Sequence, residues 1–144
     1  MTQEELEVYI DDSRVINLVS IGKDGMPHPM PMFFGRAKDG TIEMTTYGTS
    51  QKIKNIERDP RVALLIESGD AYEELKGAVL YCKTELVRDP DRVLEFMLGR
   101  NRESAELDEE TMKALTKQSQ KRLLMRFHVE RVVTWDHSKL GGIL

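Results

Sequence analysis

The apolar positions of this chain fall into short alternating runs between turn residues, a pattern typical of an antiparallel β protein. Six runs predict strands, at residues 14–21, 27–34, 41–46, 61–67, 75–87 and 123–135. The 75–87 run alternates most clearly. Its predicted inner face consists of Ala78, Leu80, Cys82, Thr84 and Leu86.

The turns between the first strands are short and contain glycine. Lys23-Asp24-Gly25 and Lys38-Asp39-Gly40 are both typical hairpin connections, because glycine tolerates a positive φ. Connections of this length cannot cross over between parallel strands, so the strands are predicted to be antiparallel. Within 27–34, prolines occupy every second position from Pro27 to Pro31. Because proline has no N–H to donate, this strand is predicted to lie at an edge or to have one unpaired side.

Helical spacing accounts for the remaining segments. Helices are predicted at residues 2–11, at 51–58, from Asp89-Pro90-Asp91 onward, and at 108–120. Ser50 is a suitable N-cap for the 51–58 helix, and Pro60 ends it. The 144 residues fit a single domain over 1–144. The predicted fold class is therefore mainly β, a six-stranded antiparallel barrel with short helices.

Composition removes several functional classes. The net charge of −4 provides no basic field for nucleic acid, and no apolar run approaches the roughly 20 residues that span a bilayer. Residues 1–14 are acidic, unlike a secretory signal. Cys82 is the only cysteine, which suits a reducing cytoplasm, and His28, His128 and His137 are too scattered for a zinc site. We expect a cytoplasmic protein without a bound metal.

A basic cluster stands out at residues 44–62 of this acidic chain, formed by Lys52, Lys54, Arg58 and Arg61. Lys52 falls in the first turn of a predicted helix, where the macrodipole disfavours a cation. An anion at that helix end would reverse the effect, since free N–H groups, Lys52 and nearby hydroxyls could bind a phosphate. The hydroxyls are those of Thr45, Thr46, Thr49 and Ser50. The alternative interpretation is an ordinary solvated helix, and the residues alone leave both open.

The run Thr45-Thr46-x-x-x-Ser50-Gln51-Lys52-x-x-Asn55-Ile56-x-x-x-Pro60-x-Val62 resembles the signature of the pyridoxamine 5′-phosphate oxidase-like superfamily. More narrowly, residues 50–90 and the closing RVVTWDHSKLGG are similar to the actinobacterial-type flavin and deazaflavin oxidoreductases. The likeness extends from about residue 5 to residue 142. It implies a split β-barrel of the FMN-binding type that forms a homodimer, with two cofactor sites in grooves between the subunits.

The resemblance also implies roles for particular residues. The cofactor phosphate would be held by Thr45, Thr46, Ser50, Gln51 and Lys52, and that loop would be supported by Lys54 and Asn55. The backbone of Pro29, Met30, Pro31 and Met32 would flank the tricyclic ring, and Arg61 would help to neutralise an acidic tail. Trp135 would approach the ring from the partner subunit, or alternatively close the dimer core.

Two departures from the family pattern shape the functional hypothesis. The oxidase has Ser-Arg-Lys where this chain has Ser50-Gln51-Lys52, and it ends in an Arg-Leu-x-Pro element that is missing here. Pyridoxamine 5′-phosphate is therefore not the expected substrate. Gln51 resembles the branch that uses coenzyme F420, whose phosphate continues into a glutamate tail. The function expected is hydride transfer between F420 and a small electron-poor organic substrate.

Two alternatives remain from the sequence. One is an FMN-dependent oxidoreductase on the same barrel, and the other is a non-catalytic protein that binds flavin, F420 or haem. No catalytic dyad is apparent, so the catalytic residues are unknown. Tyr47, Tyr72 and bulk water are all possible proton donors.

Overall fold

The computed structural model describes residues 1–100 and 108–141 as an antiparallel sheet with four α-helices and two short 3-10 helices, Tyr72–Glu74 and His137–Leu140. The strands are β1 (Val15–Ile21), β2 (Pro27–Phe33), β3 (Gly35–Arg36), β4 (Ile42–Tyr47), β5 (Arg61–Ser68), β6 (Lys76–Val87) and β7 (Arg122–Asp136). The helices are α1 (Gln3–Asp12), α2 (Gln51–Arg58), α3 (Pro90–Arg100) and α4 (Glu109–Ser119). All six predicted strands are present, and β3 is an additional strand of two residues. Residue 142, the last of the family-like segment, lies outside the described part of the chain.

The strands form one curled sheet in the order β2-β1-β5-β6-β7-β4-β3, with every pair antiparallel. Alternating apolar side chains line its inner face, and the most deeply buried include Leu18, Met44, Leu64, Leu80 and Phe127. The predicted inner face of β6 is confirmed at Ala78, Leu80 and Cys82, which are all buried. This arrangement confirms the mainly β, split-barrel fold.

Strand β2 lies at one edge of the sheet and pairs only with β1. Pro29 and Pro31 are exposed on it, opposite Val19 and Asn17 of β1. The edge position predicted from the prolines is confirmed, because a strand with missing N–H donors can occupy only a place where one side needs no ladder.

Helix α2 is fixed firmly against the sheet. Ile53, Asn55 and Ile56 are buried, and the Asn55 amide donates to the hydroxyl of Ser20 on β1 at 3.1 Å. In the turn between β4 and α2, the N–H of Gly48 donates to the carbonyl of Lys121 at 3.0 Å. The beginning of α2 therefore lies beside the beginning of β7.

Over residues 1–100 and 108–141, no helix has the length and apolar character needed to cross a membrane. The same residues contain no cluster of three histidine, cysteine or acidic side chains arranged to hold a metal ion.

Candidate functional site

The N-terminus of α2 lacks the groups that usually stabilise a helix start. In α1 the Thr2 hydroxyl accepts from the N–H of Glu5, and in α4 the Asp108 carboxylate accepts from the N–H of Thr111. Both helices also have acids in the first turn, whereas α2 has none there. Ser50 occupies the predicted N-cap position of α2, but its side chain makes no capping hydrogen bond. The positive end of α2 is thus left for another anionic or accepting group.

Lys52 turns back from this helix end onto β4. Its ammonium donates to the Thr46 hydroxyl at 3.0 Å, and that hydroxyl lies 3.5 Å from the Ser50 oxygen. Burial lowers the pKa of Lys52, and the positive charge of Arg122 lowers it further. The structure therefore brings Thr46, Ser50 and Lys52 together, three of the predicted phosphate contacts. Keeping Lys52 charged in this partly buried position costs free energy.

Arg122, at the start of β7, is a member of this cluster that the sequence interpretation missed. Its guanidinium lies within 3.5 Å of the Thr45 hydroxyl and 4.4 Å above the centre of the Tyr47 ring. Its Nε is buried and has no hydrogen-bond partner among the described residues. The sequence shows a basic residue before the last strand, but only the pairing of Tyr47 with Arg122 places it here.

Lys52 and Arg122 form an uncompensated positive site. Among the described residues neither makes an ion pair with a carboxylate, whereas Arg126 on the same strand pairs with Asp39 at 2.9 Å and Glu43 at 3.4 Å. Lys52 contacts Thr46 and Arg122 contacts Thr45, so both cations lie near the end of β4. An anion at this strand end would relieve their repulsion.

Three polar side chains of α2, those of Gln51, Asn55 and Arg58, interact with one another along the helix. The Gln51 amide donates to Asn55 at 2.9 Å, and Arg58 approaches the same Asn55 oxygen at 3.4 Å. Asn55 in turn donates to Ser20, so it connects α2 with β1. Lys54 is exposed. The Gln51 side chain is therefore occupied within the helix, while Lys54 and Arg58 extend the basic surface.

Comparison with known proteins assigns the family. The Pyridoxamine 5′-phosphate oxidase family profile matches residues 2–136. This chain belongs to that family. No curated protein matches its sequence.

Several solved structures are similar to this chain. The conserved hypothetical protein Rv2991 from Mycobacterium tuberculosis is 33% identical with a TM-score of 0.87, covering 98% of this chain and 88% of its own. A protein described as an F420 reductase is 21% identical with a TM-score of 0.68, covering 88% and 94%. HutZ, the haem storage protein of Vibrio cholerae, is 15% identical with a TM-score of 0.69, covering 91% and 92%. The last two share the fold with this chain.

The other residues implied by the family resemblance lie apart from the cluster. Arg61 makes its described hydrogen bonds to Asp59, beyond the C-terminal end of α2. Strand β2, with Pro29, Met30, Pro31 and Met32, is separated from α2 by β1. Trp135 lies at the opposite end of β7 from Arg122, with its indole over Gly77. One chain by itself therefore assembles only the phosphate-type part of the implied site.

This arrangement is suited to an anion, and the part of the chain that the structure describes shows no acid–base pair beside it. Burial raises the pKa of the Cys82 thiol to about 12, so it is a poor nucleophile near neutral pH. Tyr47 is half exposed and stacked with Arg122, which suits a positioning contact. The chemical capacity of the described site is recognition of a phosphate-like group by cations, hydroxyls and helix N–H groups.

Proposed function

We propose that this family member is a homodimeric oxidoreductase that binds coenzyme F420 and transfers a hydride between it and a small electron-poor organic substrate. The observation that supports this is the uncapped, acid-free start of α2, where Lys52 and Arg122 have no carboxylate partner within residues 1–100 and 108–141. The phosphate would be held by Thr45, Thr46, Ser50 and Lys52. When bound, the cofactor would supply the redox chemistry, and the protein would provide position and exclude water.

Two features favour a cofactor whose anion continues beyond the phosphate. Gln51 bonds to Asn55 and contributes no charge, while Lys54 and Arg58 are exposed on the same helix. A glutamate tail running along α2 would meet both cations. Arg61 would join them by exchanging its ion pair with Asp59, which is at the surface. The similarity of an F420 reductase structure agrees with this proposal.

The ring position proposed for this cofactor is the exposed edge strand. Pro29, Met30 and Pro31 present an apolar surface there, and the prolines add no unsatisfied N–H groups. In a homodimer, Trp135 of the partner subunit would close the opposite side of the ring. The exposed valines of β7 give such a dimer an apolar contact, and they are Val129, Val132 and Val133.

FMN is the second candidate, and Arg122 is the observation that favours it. A compact monophosphate needs strong cations close together, and Lys52 with Arg122 would provide two. A third possibility, a binding protein without turnover, is consistent with the lack of an acid–base pair in the described residues.

A parallel fluorescence titration with F420 and FMN tests these assignments. We expect wild-type protein to prefer F420 and Lys52→Ala to weaken binding about tenfold or more, since a charge-assisted contact is lost. Lys38→Ala, in the exposed turn before β4, is the matched control and should bind as wild type. Preference for FMN would support the second candidate, and failure to bind either cofactor would refute the proposal.

A turnover assay separates an enzyme from a binding protein. Reduced F420 is mixed with the protein and a conjugated enone, and cofactor oxidation is followed by absorbance. Oxidation that depends on both protein and enone supports the oxidoreductase. Tight binding without oxidation across a panel of electron-poor acceptors would support the non-catalytic alternative.

A further inference from the structure

Gln51 leaves this chain without the arginine that the family motif places next to its phosphate-binding lysine. We infer that Arg122 supplies this contact from β7, so that one phosphate is bound by Lys52 from α2 and by Arg122 from the last strand. This assignment rests on the proposed phosphate-containing cofactor. The arginine then comes from β7 and not from the motif beside Lys52, and the pairing of β4 with β7 brings it close.

The hydrogen bonding of Arg122 supports the assignment. The guanidinium has five N–H donors, and among the described residues it makes one long hydrogen bond, 3.5 Å, to Thr45. Its Nε is buried without a partner among the described residues. A buried donor left unsatisfied costs free energy, and a phosphate oxygen would satisfy donors that the protein does not.

The charges around Arg122 support it as well. Arg122 is close enough to Lys52 to lower the pKa of that lysine, and no described carboxylate pairs with either residue. Arg126 on the same strand also has a buried Nε without a hydrogen bond, but it makes ion pairs with Asp39 and Glu43, and Arg122 makes none with a described carboxylate. Two neighbouring cations repel each other, and an anion bound between them would offset this repulsion.

Tyr47 is the positioning residue for Arg122. Its ring lies 4.4 Å below the guanidinium, and the two residues are directly paired across β4 and β7. Stacking of this kind limits the orientations of a long side chain before the ligand arrives. The phenol oxygen has no part in it, so the ring alone is required.

The central experiment compares Arg122→Ala with a matched control. Arg131 also lies on β7 and stacks on a tyrosine of the neighbouring strand, Tyr81, at 4.2 Å. We expect Arg122→Ala to weaken binding of both F420 and FMN by about 10- to 100-fold, the effect of losing a hydrogen bond to a charged group. Arg131→Ala should bind as wild type. Unchanged affinity in Arg122→Ala, or a loss confined to F420, would overturn the assignment.

Two further variants test the role more closely. Gln51→Arg in the Arg122→Ala background should recover part of the lost affinity, because it restores the motif arginine; equal affinities of the single and double variants would contradict the exchange. Tyr47→Phe should keep wild-type affinity, whereas Tyr47→Ala should lose several-fold. A loss in Tyr47→Phe equal to that in Tyr47→Ala would contradict the positioning role.

An inorganic phosphate titration separates failure of this inference from failure of the proposed function. The Lys52 pKa is followed by NMR as phosphate is added to wild type and to Arg122→Ala. In wild type the pKa should rise on binding, and in Arg122→Ala phosphate should bind more weakly. If neither F420 nor FMN binds while phosphate shows this difference, the cofactor proposal fails and the Arg122 assignment stands. If phosphate affects both proteins equally, the Arg122 assignment fails.

Discussion

Lys52 is held where both its surroundings and its neighbour oppose its charge. Its pKa lies below the ordinary 10.5 because of burial and of Arg122, and the ammonium is the form that binds an anion. We therefore expect cofactor affinity to fall as pH rises through this lowered pKa. A titration of affinity against pH checks this, with Lys52→Arg as the control that stays charged and loses the pH dependence. An affinity independent of pH up to the ordinary lysine pKa would contradict it.

The same pKa shift has the opposite effect on stability. A lysine whose pKa is lower in the folded than in the unfolded chain is protonated more readily when unfolded. The cofactor-free protein should therefore gain stability as pH rises through the lowered pKa toward 10.5. In the proposed function, the charge of Lys52 serves binding, since it does not favour folding.

Gly77 is required because the Trp135 indole occupies the space of its missing side chain. An added Cβ would lie 2.5 Å from Trp135 Cζ2 and 2.7 Å from the carbonyl oxygen of Ile66. We expect Gly77→Ala to lower the free energy of unfolding by about 1–3 kcal/mol, because the Ile66 backbone cannot move aside. Chemical denaturation followed by the fluorescence of Trp135, the only tryptophan, measures this.

Gly99→Ala is the control for this prediction. Gly99 lies on α3, and among the described residues no atom outside its own helix backbone lies within 4 Å of an added Cβ. Alanine there should stabilise the protein by up to about 1 kcal/mol through helix propensity. Similar effects of the two substitutions would refute the close packing of Trp135 and the Ile66 backbone around Gly77.

At the scale of elements, α2 combines a weak start with a strong anchor. The missing acid and missing cap destabilise its first turn, while buried Asn55 holds it to β1. Lys52→Glu should therefore raise the stability of the cofactor-free protein by about 0.3–1 kcal/mol, since it places an acid at the positive helix end. It should also abolish cofactor binding. Thermal unfolding and the fluorescence titration measure the two effects.

Lys54→Glu provides the comparison within the same helix. Lys54 is exposed and farther from the helix start, so its replacement should change the stability less than Lys52→Glu does. If Lys52→Glu destabilised the cofactor-free protein, the view of α2 as a helix start prepared for an anion would be wrong.

The elements themselves were largely predictable, because each depends on local pattern. Alternation, turn glycines and helix start residues marked six strands and four helices to within a residue or two. The two-residue β3 was missed, since a segment so short has no periodicity. Ser50 was placed correctly, but its hydroxyl points to Thr46 rather than to the helix N–H groups.

At the scale of the whole molecule, the half-buried Trp135 and the exposed valines of β7 predict a homodimer. We expect sedimentation at twice the 16.5 kDa chain mass at micromolar concentration. Val133→Glu should shift the protein to monomer and reduce cofactor affinity together, because the proposed ring site is shared between subunits. Val8→Glu, on the exposed side of α1, is the matched control and should remain dimeric. A wild-type monomer would argue against the shared site.

The sequence by itself determined the antiparallel barrel, the edge position of the proline-rich strand and the unusual Lys52 in a helix start. Each of these follows from interactions between residues a few positions apart. The tertiary structure decided that Arg122 contacts Thr45 and Tyr47. The register of β4 against β7 joins residues far apart in the chain, and it depends on how the whole core packs. Local patterns therefore identified the helix start that is proposed to bind an anion, while the pairing of β4 with β7 brought Arg122 beside it.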